Sequence, residues 1–323
     1  MEIGSFIELD LRNTGEVYAE NNVVRLNAAR AGIFHACKLY NVRKIYIPYY
    51  QCPTVSAFLQ KQDIEILYYN IDTEFRPLIN TNEIDTAFLL VNYFGILSSE
   101  YINSIAGNYK NVIVDNSPAF YSNPIPNFIS VYSPRKFFGV PDGCYVIGDK
   151  TLNKQIKYPQ DFSSDSAAFL FKRIEKGCNA VYAERMKNEE RIDNSDIMQM
   201  SELTRALLKN IDYNSIAETR KKNFQYAHDF FKNINLINPT QFQDNNCVPM
   251  VYPLVIENSE IVKHLAENKI YTGRWWNSVL KKVNSDSVEA YLSKYMIPLP
   301  IDQRYSETEI QYIAQLIFNF ILK

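Results

Sequence analysis

Over the first half of the chain, from about residue 29 to 150, apolar positions switch repeatedly between two spacings. Ile33, Ala36, Cys37 and Tyr40 recur at intervals that place them on one helical face, whereas Lys44-Ile-Tyr-Ile47 is a short strand-like run stopped by Pro48. Helical spacing returns over Pro53 to Lys61 and Ser99 to Asn108. Short runs rich in β-branched and aromatic residues return at Ile64 to Tyr69, Thr86 to Asn92, Val112 to Asp115, Phe128 to Tyr132 and Cys144 to Ile147. Runs of this kind joined by helices predict an α/β fold: a mostly parallel sheet with helices on both faces. Ligands of such sheets sit outside the carboxyl ends of the strands, which is where Asp115 falls.

The second half reads differently. Residues 163 to 190 are charged and irregularly helical, and the charged stretch Lys172 to Arg191 has the composition of a solvated helix face. Tyr213 to Lys232 predicts a long helix linking two lobes. Strand-like Val251 to Ile256, helical Ser259 to Asn268 and strand-like Tyr295 to Leu299 follow. Ser306 and Glu309 then form a capping box ahead of Ile310, Ile313, Ile317 and Phe320 on one face. The division expected is an N-terminal segment with a large domain over 1–212 and a small α+β domain over 213–323.

Composition narrows the function classes. A formal net charge of -2 gives no global electrostatic reason to bind nucleic acid or an anionic membrane. The five cysteines are far apart and form no CxxC pair, so neither a disulfide framework nor a zinc site follows, and a reducing cytoplasm is the simplest setting. The start of the chain, with Glu2, Glu8 and Asp10, lacks the basic and apolar regions of a signal peptide. Ala87 to Val91, a clean apolar run that no other in the sequence exceeds, is far too short to span a bilayer. The aromatic residues are spread along the chain without a basic partner stripe, which points to core filling rather than base stacking. His35, His228 and His264 show no metal-ligand spacing and read as structural or surface groups. A nucleophile elbow, a dinucleotide-binding glycine motif and a P-loop are all missing from the sequence.

One pairing of residues does carry chemistry. Asp115 ends a buried apolar run, and Ser133-Pro-Arg-Lys136 follows it as a Ser-x-x-Lys turn with Gly139 and Asp142-Gly143 behind it. Pyridoxal phosphate needs such a pair. A carboxylate against its pyridine nitrogen favours the protonated ring by about 4 kcal/mol at an effective dielectric of 20. Its aldehyde needs an amine, and Lys136 would form the Schiff base and then move protons once displaced. Ser133 can donate its hydroxyl to the phosphate. Asn27-Ala-Ala-Arg-Ala-Gly32 opens the first helix with small residues, so the amides of Ala29, Arg30 and Ala31 are candidates for the same anion, with the Arg30 side chain as a clamp. In Arg274-Trp275-Trp276, the arginine could take a carboxylate or phosphate against an apolar wall, or the trio could be an aromatic plug beside a surface arginine.

Leu26-Asn-Ala-Ala-Arg-Ala31, Tyr46-Ile-Pro-Tyr-Tyr50, Val91-Asn-Tyr-Phe-Gly95, Val112-Ile-Val-Asp115, Ser133-Pro-Arg-Lys-Phe-Phe-Gly139 and Pro141-Asp-Gly143 occur in the order of the DegT/DnrJ-type sugar aminotransferases, and the chain resembles that family. The likeness continues into Met200-Ser-Glu-Leu203 and Ile297-Pro-Leu-Pro300, so it covers most of the chain. The resemblance implies the fold type I architecture of pyridoxal phosphate enzymes and a homodimer with its sites at the subunit interface. It also implies amino transfer, commonly from glutamate, to a nucleotide-linked keto sugar in surface-glycan biosynthesis. By position, Asp115 matches the residue at the pyridine nitrogen, Lys136 the Schiff-base lysine, and Ala29 to Ala31 the phosphate turn, which usually reads Gly-Thr-Ala. Asn92 and Tyr93 would border the substrate pocket. Four positions depart from the family: Pro118 stands where a Gln or His usually meets the cofactor's phenolic oxygen, Cys52 where an aromatic residue often stacks on the ring, and Ile197 and Gln199 where Asn-x-Arg often reaches across the dimer. These departures keep two alternatives open, a binding or scaffold protein that no longer turns over and a pyridoxal phosphate enzyme of another reaction type such as elimination.

Overall fold

The computed structural model describes residues 3, 5–18, 23–148 and 157–322. In chain order the first lobe contains β1 (Val23–Leu26), α1 (Ala29–Tyr40), β2 (Lys44–Pro48), α2 (Pro53–Lys61), β3 (Glu65–Tyr69), β4 (Thr86–Val91), α3 (Ser99–Ala106), β5 (Val112–Asp115), β6 (Ile129–Tyr132), β7 (Cys144–Ile147), α4 (Ala168–Ala180), α5 (Tyr182–Asn194) and α6 (Glu202–Leu208). The second contains α7 (Tyr213–Phe231), β8 (Val251–Val255), α8 (Ile261–Glu267), α9 (Val288–Tyr295), β9 (Met296–Pro300) and α10 (Glu307–Ile321).

The first lobe is built on a seven-stranded sheet of order β1-β7-β6-β5-β4-β2-β3. The pairs from β3 through β6 are parallel, and β7 and β1 run antiparallel along one edge. Every residue of β4, β5, β6 and β7 is buried, so these strands read as unbroken apolar runs rather than alternations. The two faces separate by parity. Ile45, Leu89, Ile113 and Val131 pack under α1 and α2, while Phe88, Leu90, Val112 and Val114 face the second lobe.

Helix α1 lies very close to the sheet, and Gly32 is the reason. A Cβ at that position would meet Cys144 Sγ at 2.6 Å, Val131 Cγ1 at 2.9 Å and Val146 Cγ2 at 3.0 Å. The helix ends at Asn41, whose left-handed φ of 57° returns its N–H to the carbonyls of Cys37 and Lys38.

In the second lobe, β8 and β9 pair antiparallel beside α7 and α10, with the capping box of Ser306 and Glu309 formed as the spacing predicts. One apolar cluster runs from Phe88 and Val112 of the sheet through Phe224, Tyr252 and Ile297 to Ile317. Polar ties reinforce it: buried Glu289 accepts the N–H of Ile71 at 2.6 Å, and Gln303 donates to the Phe137 carbonyl at 2.8 Å. The pattern of the sequence does not reveal β1, α6 or α9. The irregular reading of 163–190 has a cause in Gly177, whose φ of 77° breaks α4 near its end.

Candidate functional site

The site is assembled at the carboxyl ends of β5 and β6. Asp115 pairs in register with Val131, and the Asn116 N–H continues the ladder to the Val131 carbonyl at 2.8 Å. Asp115 lies two residues past Ile113, and Ser133 two past Val131, so both rise on the face covered by α1. The first turn of α1 sits over the same point, because Gly32 lies against Val131. No side chain caps α1, which leaves its first-turn amides for another acceptor. Asp115 is 6% exposed, and its Oδ1 accepts the Ser117 N–H at 2.9 Å. Its charge, after burial itself, helps push the Cys144 thiol well above its usual range.

Lys136 closes a short 3-10 turn, Pro134–Lys136, that leaves β6. Its side chain is exposed, forms no hydrogen bond or ion pair among the described residues, and lines a cavity of about 570 Å³ between the 135–140 loop, α4 and the segment after β9. The loop that carries it is tied at its far end. Fully buried Asp142 accepts the Ser201 hydroxyl at 2.6 Å and the Ser201 N–H at 3.1 Å, and the Gly143 N–H reaches the Asn27 carbonyl at 2.7 Å. Gly143 has a φ of 122°, a conformation that L side chains rarely adopt. Thus Asp142, Gly143 and Ser201, noted in the sequence only as motif letters, fix the Lys136 turn to the start of α1.

Around this edge several buried polar atoms have no partner. Arg30 gives Nη1 to Asp193 at 2.6 Å and lies over the Phe58 ring, while its Nη2 is buried and unpaired. Both polar atoms of Gln51 and the Ser117 hydroxyl are in the same condition. Buried polar groups are almost always paired; Arg30 belongs to the first turn of α1 and Ser117 is bonded to Asp115, so each leaves an unpaired polar atom beside a residue of the site, whereas Gln51 lines a separate small cavity with Cys52, Tyr68 and Lys282. Cys52 precedes α2, half-buried, with its Sγ 3.2 Å from the Thr54 hydroxyl. Sequence reasoning missed Gln51, Ser117 and Asp193. The first two adjoin residues it did single out, whereas nothing local to Asp193 announces a partner so distant in the chain.

Four other sequence candidates are placed elsewhere. Asn92 follows Leu90 by two and therefore lies on the opposite face, donating to Asn116 Oδ1 and Ser122 Oγ, both at 3.0 Å. Tyr93 is core, its hydroxyl donated to the Tyr50 carbonyl at 2.8 Å. Pro118 is buried with its carbonyl against Gly95. Arg274 belongs to the second lobe, donates to the Asn258 carbonyl at 2.8 Å and keeps Nη1 buried without a partner. Its neighbours pack on the first lobe, Trp275 on Phe94 at 5.4 Å and Trp276 edge-on to Tyr50 at 4.7 Å. Of the histidines, His35 is buried against the Tyr158 hydroxyl at 2.9 Å, and burial lowers its pKa to about 4. His264 stacks on Phe320, and His228 on Phe224.

A mostly parallel seven-stranded sheet with a small antiparallel lobe is the fold type I architecture. Solved structures place the chain in that fold. It is similar to a DegT DnrJ EryC1 StrS aminotransferase of Brucella abortus, with a TM-score of 0.62 and 14% identity over 92% of this chain and 85% of that one. The sugar aminotransferase CalS13 of Micromonospora echinospora gives a TM-score of 0.62 at 14% identity, covering 92% and 86%. A Streptococcus pneumoniae protein described as a sugar aminotransferase, solved in its PLP form, gives 0.62 at 13%, covering 91% and 85%. No protein-family model matches the chain, and no curated protein matches it in sequence.

Proposed function

We propose that this protein is a pyridoxal phosphate-dependent aminotransferase. The observation that carries the reading is the placement of Asp115 and Ser133 on one face, under the uncapped start of α1, with Lys136 on the turn that follows. The unpaired atoms of Arg30, in the first turn of α1, and of Ser117, beside Asp115, suit a phosphorylated, polar ring compound. When bound, the cofactor supplies an electron sink through which an amino group is exchanged.

The chain's own residues have separate tasks. The second oxygen of Asp115, with no partner among the described residues, would hold the proton on the ring nitrogen from a nearly water-free position. Ser133, the first-turn amides of Ala29, Arg30 and Ala31, and Arg30 Nη2 would bind the phosphate. Lys136 would anchor the cofactor's carbonyl carbon and, when released, carry a proton at Nζ between donor and acceptor carbons. Glutamate as donor and a nucleotide-linked keto sugar as acceptor, in surface-glycan biosynthesis in the cytoplasm, follow from the family resemblance; the neighbours' descriptions support sugar amination in general. A homodimer is supported by α4 and α5, which leave Phe171, Ile174, Tyr182 and Met186 exposed beside the site.

The Arg30–Asp193 pair and the absence of a side-chain donor at Pro118 favour one other reading, a binding protein that no longer turns over. The purified protein with added pyridoxal phosphate should develop a visible absorption band that is absent in Lys136→Ala and weakened in Asp115→Asn. Glutamate should then convert the band, and a band that glutamate leaves untouched would favour the binding protein. A colourless protein under saturating cofactor would reject the proposal.

A further inference from the structure

Of the five cysteines, one has a setting that the others lack. Burial pushes the thiols of Cys37 and Cys247 up to about 12 and raises that of Cys144 well above its usual range, so all three hold their protons. Cys178 follows the break in α4 at Gly177 and donates to Asn179 Oδ1 at 3.7 Å. Cys52 is half-buried at the N-cap of α2, a helix that no side chain caps, with its Sγ 3.2 Å from the Thr54 hydroxyl. The amide end of a helix draws negative charge, and the thiolate is the form of cysteine that attacks electrophiles.

Gln51 supplies an observation independent of the helix end. Its side chain is 5% exposed, and both of its polar atoms are buried without a partner. Together with Cys52 it lines a cavity of about 10 Å³, to which Tyr68, Val279 and Lys282 also contribute. Lys282 reaches the Tyr68 hydroxyl at 3.2 Å and lies over its ring, which keeps a positive charge at the same place. A guest the size of one water needs about 10–15 Å³, so this space suits a single oxygen atom and no larger ligand. An amide can donate to such an atom through its nitrogen.

We propose that Cys52 is a site of oxidation to the sulfenic acid by a hydroperoxide, with the Gln51 amide as partner of the added oxygen. The thiolate sulfur attacks one peroxide oxygen, forming an S–O bond as the O–O bond breaks. Sulfur gives up two electrons, and the peroxide is reduced to an alcohol, or to water when it is hydrogen peroxide, whose leaving oxygen takes the proton of the thiol. The new oxygen then accepts from Gln51 Nε2. This step goes beyond amino transfer and needs no cofactor.

Mass mapping of the whole protein, treated with hydrogen peroxide in the presence of dimedone to trap sulfenic acid, tests this. The adduct should form on the Cys52 peptide about tenfold faster than on any peptide carrying Cys37, Cys144, Cys178 or Cys247. Cys52→Ser should remove it. Gln51→Leu, which keeps the bulk of the side chain and deletes the amide, should slow it about fivefold without lowering the melting temperature. An adduct spread evenly over Cys52, Cys178 and Cys247, or a rate unaltered in Gln51→Leu, overturns the proposal. So does an unreactive Cys52, which would leave the cavity to a bridging water.

Discussion

Replacing Gly32 by alanine should destabilise the protein even though alanine is the better helix former. The added carbon would lie 2.6 Å from Cys144 Sγ, 2.9 Å from Val131 Cγ1 and 3.0 Å from Val146 Cγ2. Ordinary non-bonded contacts need about 3.5–4.0 Å, so α1 would have to lift by roughly half an ångström or more. All three neighbours are fully buried on β6 and β7 and cannot swing aside. Overpacking of this kind costs about 1–3 kcal/mol, and three simultaneous contacts place Gly32→Ala near the upper end. The helix-propensity gain offsets about 1 kcal/mol, leaving a net loss of about 2 kcal/mol. Urea denaturation should therefore show a lower midpoint with an unchanged slope. Cys144→Ala removes the closest contact, so the double variant should recover about 1 kcal/mol relative to additivity. A raised midpoint in Gly32→Ala, as at an open helix position, would refute the close approach of α1 to the strands that carry Asp115 and Ser133.

Three further outcomes are expected. Asp142→Ala removes a fully buried carboxylate with two partners on Ser201 and should cost about 2–4 kcal/mol in urea denaturation, with faster proteolysis of the 134–143 loop; a loss under about 0.5 kcal/mol would contradict the latch. Asp193→Asn frees Arg30 from its counter-ion and should tighten pyridoxal phosphate binding several-fold by fluorescence titration, whereas weaker binding would mean that the pair supports the site. His35 has its pKa lowered to about 4 by burial, first, and by Lys38, second, so the unfolded chain binds the proton more readily. Its contribution is present above the unfolded value of about 6.5 and is lost as pH falls towards 4, by about 3 kcal/mol in all. Stability measured at pH 7 and pH 4.5 should fall less in His35→Phe than in the natural protein.

The sheet was legible because its central strands are buried on both sides and read as unbroken apolar runs, Thr86 to Val91 and Val112 to Asp115 above all. β1 was not, since four residues with a mixed burial pattern offer no periodicity. Asp115 and Ser133 could be placed together because strand parity carries them to one face. The same parity sends Asn92 to the other, a consequence that adjacency in sequence conceals. Arg30 was recognisable as an anion ligand, yet its pairing with Asp193 depends on how α5 returns over α1, which no local pattern encodes. The charged run of 172–191 is largely exposed, as its composition predicts, and nothing in it shows that Arg173 and Arg185 would line one cavity with Lys136.

The most direct test is chemical. The protein is incubated with pyridoxal phosphate, reduced with borohydride, digested and mapped by mass. The account predicts a single phosphopyridoxyl addition, on the peptide that contains Lys136, reduced when Asp115 is replaced by alanine or when α1 is displaced by Gly32→Ala. Labelling scattered over surface lysines, or confined to a lysine remote from the ends of β5 and β6, would contradict it.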